Sequence, residues 1–298
     1  MRLCQVMRRP TKDRRITERE RNNMMRKRCA YLTMADPGDY VTDYDLSYAS
    51  MAAKGWQTQA VAWLDPDVDW DEFDAVYICT PWDYPDHFDR FIEVLECIEQ
   101  SCAHLVNPLS LVHWTLEKTY LRDLEQRGAA IVPSLWFEDI DVAGIADWFT
   151  AIDSDTLVIK PVVGVNAIDA YVLTQPVDAA LVAHLATTFA GRPFFVQPFA
   201  HNIQLEGEYS LFFFSGEYSH AILKTPKSGD FRVQEEHGAD IQVAVPSAEL
   251  IAAASKVLAL VEPEPVYVRA DFVRGNDGQY WLMELELIEP ALYLRMDD

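Results

Sequence analysis

From Cys29 onward, short apolar runs alternate with segments whose apolar residues recur every three or four positions. Cys29–Met34, Gln57–Trp63 and Ala75–Thr80 read as strands, and Tyr44–Lys54 as a helix that Gly55 ends. After Pro85, the spacing of Phe88, Phe91, Ile92, Leu95 and Ile98 predicts a helix with one face packed on a sheet. Together these elements predict an open α/β unit over residues 29–107.

Beyond Asn107-Pro108 the texture changes. A helix is expected over Leu116–Gln126, stopped by Gly128, and strands over Thr156–Val163 and Ala170–Leu173 flank a Gly164–Asp169 turn. Phe194–Pro198 opens a further segment. Two hairpins follow, Tyr209–Phe214 with Tyr218–Lys224 around Ser215-Gly216, and Val266–Val273 with Tyr280–Leu287 around Gly275-Asn276-Asp277-Gly278. A helix over Ala248–Val261 lies between them. An α/β start followed by helices and antiparallel hairpins predicts a multi-lobed α+β protein.

Half of the 298 residues are apolar, enough for a sizeable core. The net charge of −22 argues against nucleic acid or an anionic membrane as partner. Its distribution is uneven: residues 1–28 carry 11 basic and 3 acidic side chains, and the rest of the chain carries a net −30. The basic arm reads as disordered or dispensable. No run approaches the roughly 18–20 apolar residues of a membrane span, and no secretory signal is evident, so a cytoplasmic protein is expected. Five cysteines, an odd number without a CxxC pair, suggest reduced thiols, and the seven histidines show no HExxH.

The last hairpin carries the most chemistry. Arg269 and Asp271 share one face of its first strand, and Glu284 and Glu286 share one face of its second. A loop with an even number of residues, such as Gly275–Gly278, puts both sets on the same face. A solvated acidic face is the plain alternative, but Leu282, Met283, Leu285, Leu287 and Ile288 make the strand unusually apolar for one. Carboxylates there would repel unless a cation sat among them, and oxygen ligands suit Mg²⁺ bridging phosphates. Lys160, closing the strand TLVIK, and Lys118 each read alone as surface lysines; with the acidic hairpin they form a pattern.

At this point the chain resembles the ATP-grasp superfamily, from about Asn107 to Tyr293, with a looser match back to Cys29. The resemblance is carried by Asn107-Pro108, Lys118 in EKTYLRDL, Lys160-Pro161, Gln197-Pro198-Phe199, Glu206-Gly207-Glu208-Tyr209-Ser210, HAILKTPKSGDFRVQEEHG, Asp271 in RADFV, and Glu284 and Glu286 in LMELELIEP. Within the superfamily it is similar to glutathione synthetase ATP-binding domains and to the cyclo-ligase that closes O-ureido-serine into cycloserine; Trp82-Asp83-Tyr84 and ELELIEP also look like that branch.

The resemblance implies an ATP-grasp fold of three parts: an N-terminal open α/β domain (29–107), then an ATP-grasp domain (108–298) with a lid at about 130–196 and an antiparallel-sheet subdomain at about 197–298. It implies ATP with two Mg²⁺ ions, Mn²⁺ being an alternative. Lys118 and Lys160 would hold the phosphates, Gln197, Pro198 and Phe199 the adenine edge, and Glu208 or Glu206 the ribose hydroxyls or adenine amino group. Asp271, Glu284 and Glu286 would ligate metal, and Lys224 and Arg232 would neutralise the transferring phosphoryl group and bind a substrate carboxylate. The activity implied is ligation of a small-molecule carboxylate to an amine-like nucleophile through an acyl phosphate, with an intramolecular reaction and a homodimer left open. An ATP-binding module without turnover is the alternative, as is a kinase-like phosphotransferase.

Two departures from the superfamily pattern stand out. The stretch after Lys160 offers only Gly164 where lids commonly carry a glycine-rich loop, and Glu284-Leu285-Glu286 replaces the common Glu-x-Asn. Trp82, Trp114 and Trp136 read as packing residues, Ser210 lies outside any nucleophile motif, and His220 and His237 carry no assigned role. Asp83 is a candidate for a substrate amino group.

Overall fold

Strands β1 (Lys27–Thr33), β2 (Trp56–Ala62), β3 (Ala75–Thr80) and β4 (His104–Val106) run parallel in the order β2-β1-β3-β4. The computed structural model describes residues 27–38, 40–164 and 167–297; most of the basic arm, and Val165 and Asn166 of the Gly164–Asp169 turn, lie outside the described residues. Lys27 and Arg28 belong to β1 rather than to an arm. The Arg28 amide donates to Asp74 Oδ2 at 2.7 Å and its guanidinium pairs with Glu72 at 2.9 Å, which starts the strand two residues early.

Strands β1 and β3 are buried almost throughout because both sheet faces are covered. Phe91, Val94, Leu95 and Ile98 of the helix Phe88–Glu99 pack with Leu32, Val76 and Ile78 on one face. Tyr44, Tyr48 and Met51 cover Tyr31 and Cys79 on the other.

A second sheet, antiparallel in the order β5-β8-β6-β7, consists of β5 (Leu135–Phe137), β6 (Thr156–Pro161), β7 (Tyr171–Thr174) and β8 (Phe194–Pro198). Helices Ile145–Ile152 and Ala179–Thr188 cover one face through Trp148, Phe149 and Leu185. The third sheet, β9 (Glu208–Phe214), β10 (Glu217–Thr225), β11 (Asp240–Val243), β12 (Tyr267–Arg274) and β13 (Tyr280–Glu286), is antiparallel in the order β11-β10-β9-β12-β13. Its core face (Leu211, Phe213, Val268, Ala270, Phe272) packs on Leu121, Leu124, Leu250 and Val257. Alternation along each strand therefore sends Ser210, Arg269 and Asp271 to the opposite face.

The helix expected over Leu116–Gln126 begins only at Tyr120 and runs to Gln126, and a separate helix, Leu109–Thr115, precedes it. Between them the Lys118 amide donates to Val162 O at 2.9 Å, which draws the backbone out of helical register and onto the end of β6.

The parallel sheet joins the third sheet through Asn107, fully buried with a φ of 58° that asparagine tolerates well. Its Nδ2 donates to Tyr267 O (2.9 Å) and Leu287 O (2.8 Å), and its Oδ1 accepts from Val266 N (2.7 Å). Tyr77 and Tyr267 meet edge to face across the same seam at 4.9 Å. No helix among the described residues is long and apolar enough to cross a membrane.

Candidate active site

A cavity of about 450 Å³ opens where the three sheets meet, and register brings charged side chains to its floor. Lys224 of β10 pairs with Glu208 of β9; Asp271 of β12 lies between Ser210 of β9 and Glu284 of β13; Arg269 lies opposite Glu286. One face of four adjacent strands thus carries seven polar groups.

The turn between β12 and β13 does not follow the expected parity. Pairing closes at Arg274 and Tyr280, leaving five residues between them, and a regular ladder from there would turn Glu284 to the core face. The register shifts by one residue between Phe272–Leu282 and Asp271–Glu284, so Met283 is an extra residue on β13. This bulge returns Glu284 and Glu286 to the face of Asp271.

Asp271, 2% exposed, accepts from Ser210 Oγ at 2.6 Å and from Arg269 Nε at 3.1 and 3.2 Å. Lys224 Nζ lies 3.1 Å from Glu208 Oε1 and 3.6 Å from Asp271 Oδ2. Burial alone would lower the Lys224 pKa, but Asp271 and Glu208 reverse this and leave it raised. For Glu208 burial prevails over Lys224 and raises the carboxyl.

Across the cavity, Lys118 is ion-paired to Glu284. Burial would raise the Glu284 pKa, yet Lys118, with Arg269 and Lys160 behind it, holds it near about 2. Glu286 behaves oppositely: burial raises it, and Arg269 only partly compensates. Lys160 forms no ion pair among the described residues; burial, then the nearby Lys118 charge, lower its pKa. A desolvated ammonium without a direct ion-pair partner is a ready receiver for an anion.

Gln197, Pro198 and Phe199 line the neighbouring slot, whose walls are Val158, Phe231, Val233 and Met283. Gln197 is anchored by its Nε2 donating to Ser134 Oγ at 3.0 Å, leaving strand backbone for recognition. Glu206 does not line the cavity: Arg274 holds it at 3.0 Å and Tyr209 donates to it at 3.1 Å, outside. Arg232 reaches the rim with its guanidinium held by Asp230 at 2.8 Å. Asp83 accepts from Trp63 Nε1 at 2.7 Å and is not a lining residue. Trp82 does line the cavity, and also donates to Glu289 O at 3.0 Å across the seam.

Asp271, Glu284 and Glu286 supply oxygen donors on adjacent strands, which suits a hard cation. Each faces a protein group here, and among the described residues no three His, Cys, Asp or Glu side chains form a ready-made cage. Two residues that the sequence named without a site role belong to the site. Strand parity had already put Arg269 on the face of Asp271; Ser210 needed the pairing of β9 with β12.

A small parallel sheet, a lid-like sheet and an antiparallel floor bearing these charges define an ATP-grasp ligase. Comparison with known proteins makes this specific. The family profile described as "D-cycloserine synthetase DcsG, N-terminal domain" matches residues 29–107. The cycloserine biosynthesis protein DcsG of Streptomyces lavendulae is 31% identical over 272 residues, covering 86% of this chain and 90% of that protein. The crystal structure of D-cycloserine synthetase DcsG superposes with a TM-score of 0.78 at 29% identity over 91% of this chain and 95% of that one. The ATP-grasp ligase PsnB, solved with a minimal precursor, Mg and ADP, shares the fold at a TM-score of 0.62 and 14% identity, over 90% and 92% of the two chains. This chain belongs to the DcsG family of ATP-grasp ligases. It is therefore an enzyme of that kind, in preference to a binding module without turnover.

Proposed function

We propose that this enzyme uses ATP and Mg²⁺ to convert the carboxylate of a small amino-acid derivative to an acyl phosphate, which an amine-like nitrogen, in the same molecule, then attacks. The observation that carries this reading is the shared strand face of Lys224, Glu208, Ser210, Asp271 and Glu284, met in the same cavity by Lys118 and Lys160. Support for a ring-closing reaction comes from the relative named as a cycloserine synthetase.

A carboxylate is a poor electrophile because hydroxide is a poor leaving group. Transfer of the γ-phosphoryl group to the carboxylate oxygen, with ADP departing, gives an acyl phosphate whose phosphate leaves readily. Catalysis is then positioning and charge stabilisation, with no protein nucleophile. Lys160, which forms no ion pair among the described residues, and Lys118 would hold the phosphates, and the Gln197–Phe199 strand the adenine edge. Asp271, Glu284 and Glu286 would hold Mg²⁺, expected as two ions, which neutralises phosphate charge when bound. Arg269 is aimed along the same face and would stabilise negative charge developing on the substrate carbonyl oxygen. Arg232, at the rim, would meet a substrate carboxylate. Lys224, fixed between Glu208 and Asp271, reads as a positioning residue.

The test is release of ADP and phosphate with a panel of amino-acid derivatives, comparing wild type with Lys160→Ala and Glu284→Ala. Loss of turnover in both variants is expected; equal turnover in all three overturns the reading. A stable phosphorylated product in place of free phosphate would indicate phosphotransfer.

A further inference from the structure

The cavity has an end that the ligase residues do not occupy. Towards the parallel sheet its walls are Tyr40, Trp82, Tyr84 and Phe88, closed by Ile288 and Glu289 from the segment after β13. Glu289 is only 9% exposed, yet its Oε2 has no hydrogen-bond partner, and no lysine or arginine among the described residues forms an ion pair with it. Burial, then the charges of Glu286 and Glu284, push its carboxyl well above the usual range, against the opposing effects of Tyr84 and Arg269.

The link across the seam is the Glu289 carbonyl oxygen, which accepts from Trp82 Nε1 at 3.0 Å, and the side chain's own internal partner is the Tyr84 hydroxyl, which leaves Oε2 unused. Arg295, a cation that also lines the cavity, is taken by Asp43 (3.3 Å) and Glu235 (2.7 Å). What remains is a carboxyl with no ion pair among the described residues and an unpartnered Oε2, beside aromatic rings, with Trp82 edge-on to Tyr40 at 5.3 Å. A carboxylate with aromatic walls is a recognition set for an ammonium group.

We infer that Glu289 binds a protonated primary amine of the substrate, with Tyr40, Trp82 and Tyr84 as the walls of that subsite. The substrate is then an amino acid derivative held at two ends, its ammonium on Glu289 and its carboxylate towards Arg269 and the phosphate-binding lysines. The terminal carboxyl torsion is broad and two-fold, so either oxygen can turn to the amine. The placement of the carboxylate end rests on the ligase reading; the chemistry at Glu289 does not.

The test is calorimetric titration of the full chain, loaded with ADP and Mg²⁺, with O-ureido-serine and with its desamino counterpart of equal length. Wild type should prefer the amine by at least about 30-fold, the scale of a buried charge-assisted hydrogen bond. Glu289→Gln, nearly isosteric, should bring that preference within about 3-fold while binding ADP as wild type does, which also shows that it is folded. A preference that survives in Glu289→Gln overturns the inference, and so does a wild type that binds ADP but neither compound, or both equally. Failure of wild type to bind ADP would instead overturn the ligase reading, and with it the placement of the carboxylate end.

Discussion

Glu284 lies directly opposite Asp271, and each carboxylate has its own cation, Lys118 for the first and Arg269 for the second. Like charges opposite one another destabilise a sheet unless they are compensated, so the two ion pairs and the strand pairing are one arrangement.

The Glu284 carboxyl, which burial alone would raise, is held by Lys118 near about 2 against an ordinary 4.5. A depressed carboxyl contributes stability above its unfolded value and loses it as pH falls towards its folded value. Denaturant unfolding of wild type should therefore show a loss between pH 4.5 and about 2 that is flattened in Glu284→Gln. Parallel curves for the two proteins would refute the assignment.

Lys160 is desolvated without an ion pair among the described residues, and its pKa is lowered. Its charged form therefore costs stability at neutral pH, a cost that fades as pH rises through the folded pKa towards the unfolded one. Lys160→Met should melt higher than wild type at pH 7, by the equivalent of about 1 kcal/mol. In the same protein ADP should bind about 10- to 100-fold more weakly. A variant that is both less stable and normal in ADP affinity would contradict this.

Ser210 Oγ fixes one oxygen of Asp271 at 2.6 Å. In Ser210→Ala the Mg²⁺ concentration that half-saturates Mg²⁺-dependent ADP binding should rise about 10-fold, the usual cost of removing a ligand's supporting hydrogen bond. Metal-free ADP affinity should not move, and calorimetry with and without Mg²⁺ separates the two.

Arg269 presents a planar fork that lysine cannot reproduce. Arg269→Lys should lower kcat by at least about 100-fold, with ADP affinity kept within about 3-fold. A parallel fall in ADP affinity would place Arg269 on the nucleotide instead.

A methyl group on Gly275 would overlap the ring of Trp281, which belongs to the apolar cluster behind the nucleotide slot. Gly275→Ala should cost about 1–3 kcal/mol, seen as a lower melting temperature. An unchanged melt would mean that the ring can move aside.

Strands whose faces are both buried, such as β1 and β3, were legible as apolar runs, and the strong Gly275–Gly278 turn marked the last hairpin. The lysines, Gln197, Glu208 and the three carboxylates could be named because spaced residue types carry the resemblance. Placing Glu284 beside Asp271 came out right for another reason: parity of the turn was expected to do it, and a bulge at Met283 does it instead. Tertiary pairing is what sequence spacing cannot express. Glu206 and Glu208 are indistinguishable by type, and Arg274 takes the first while the cavity takes the second. Asp83, likewise, is used by Trp63, and the break at Lys118 depends on Val162, far along the chain.

The Asn107 side chain closes three hydrogen bonds to the third sheet from the last residue before the Pro108 bend. Three bonds from one side-chain amide restrict how the parallel sheet can turn against the five-stranded sheet. The end of the cavity containing Glu289 is walled by residues of these two joined parts. If the sheet carrying Lys160 is the lid that the resemblance implies, nucleotide entry, and not recognition of the second substrate, is the step coupled to motion.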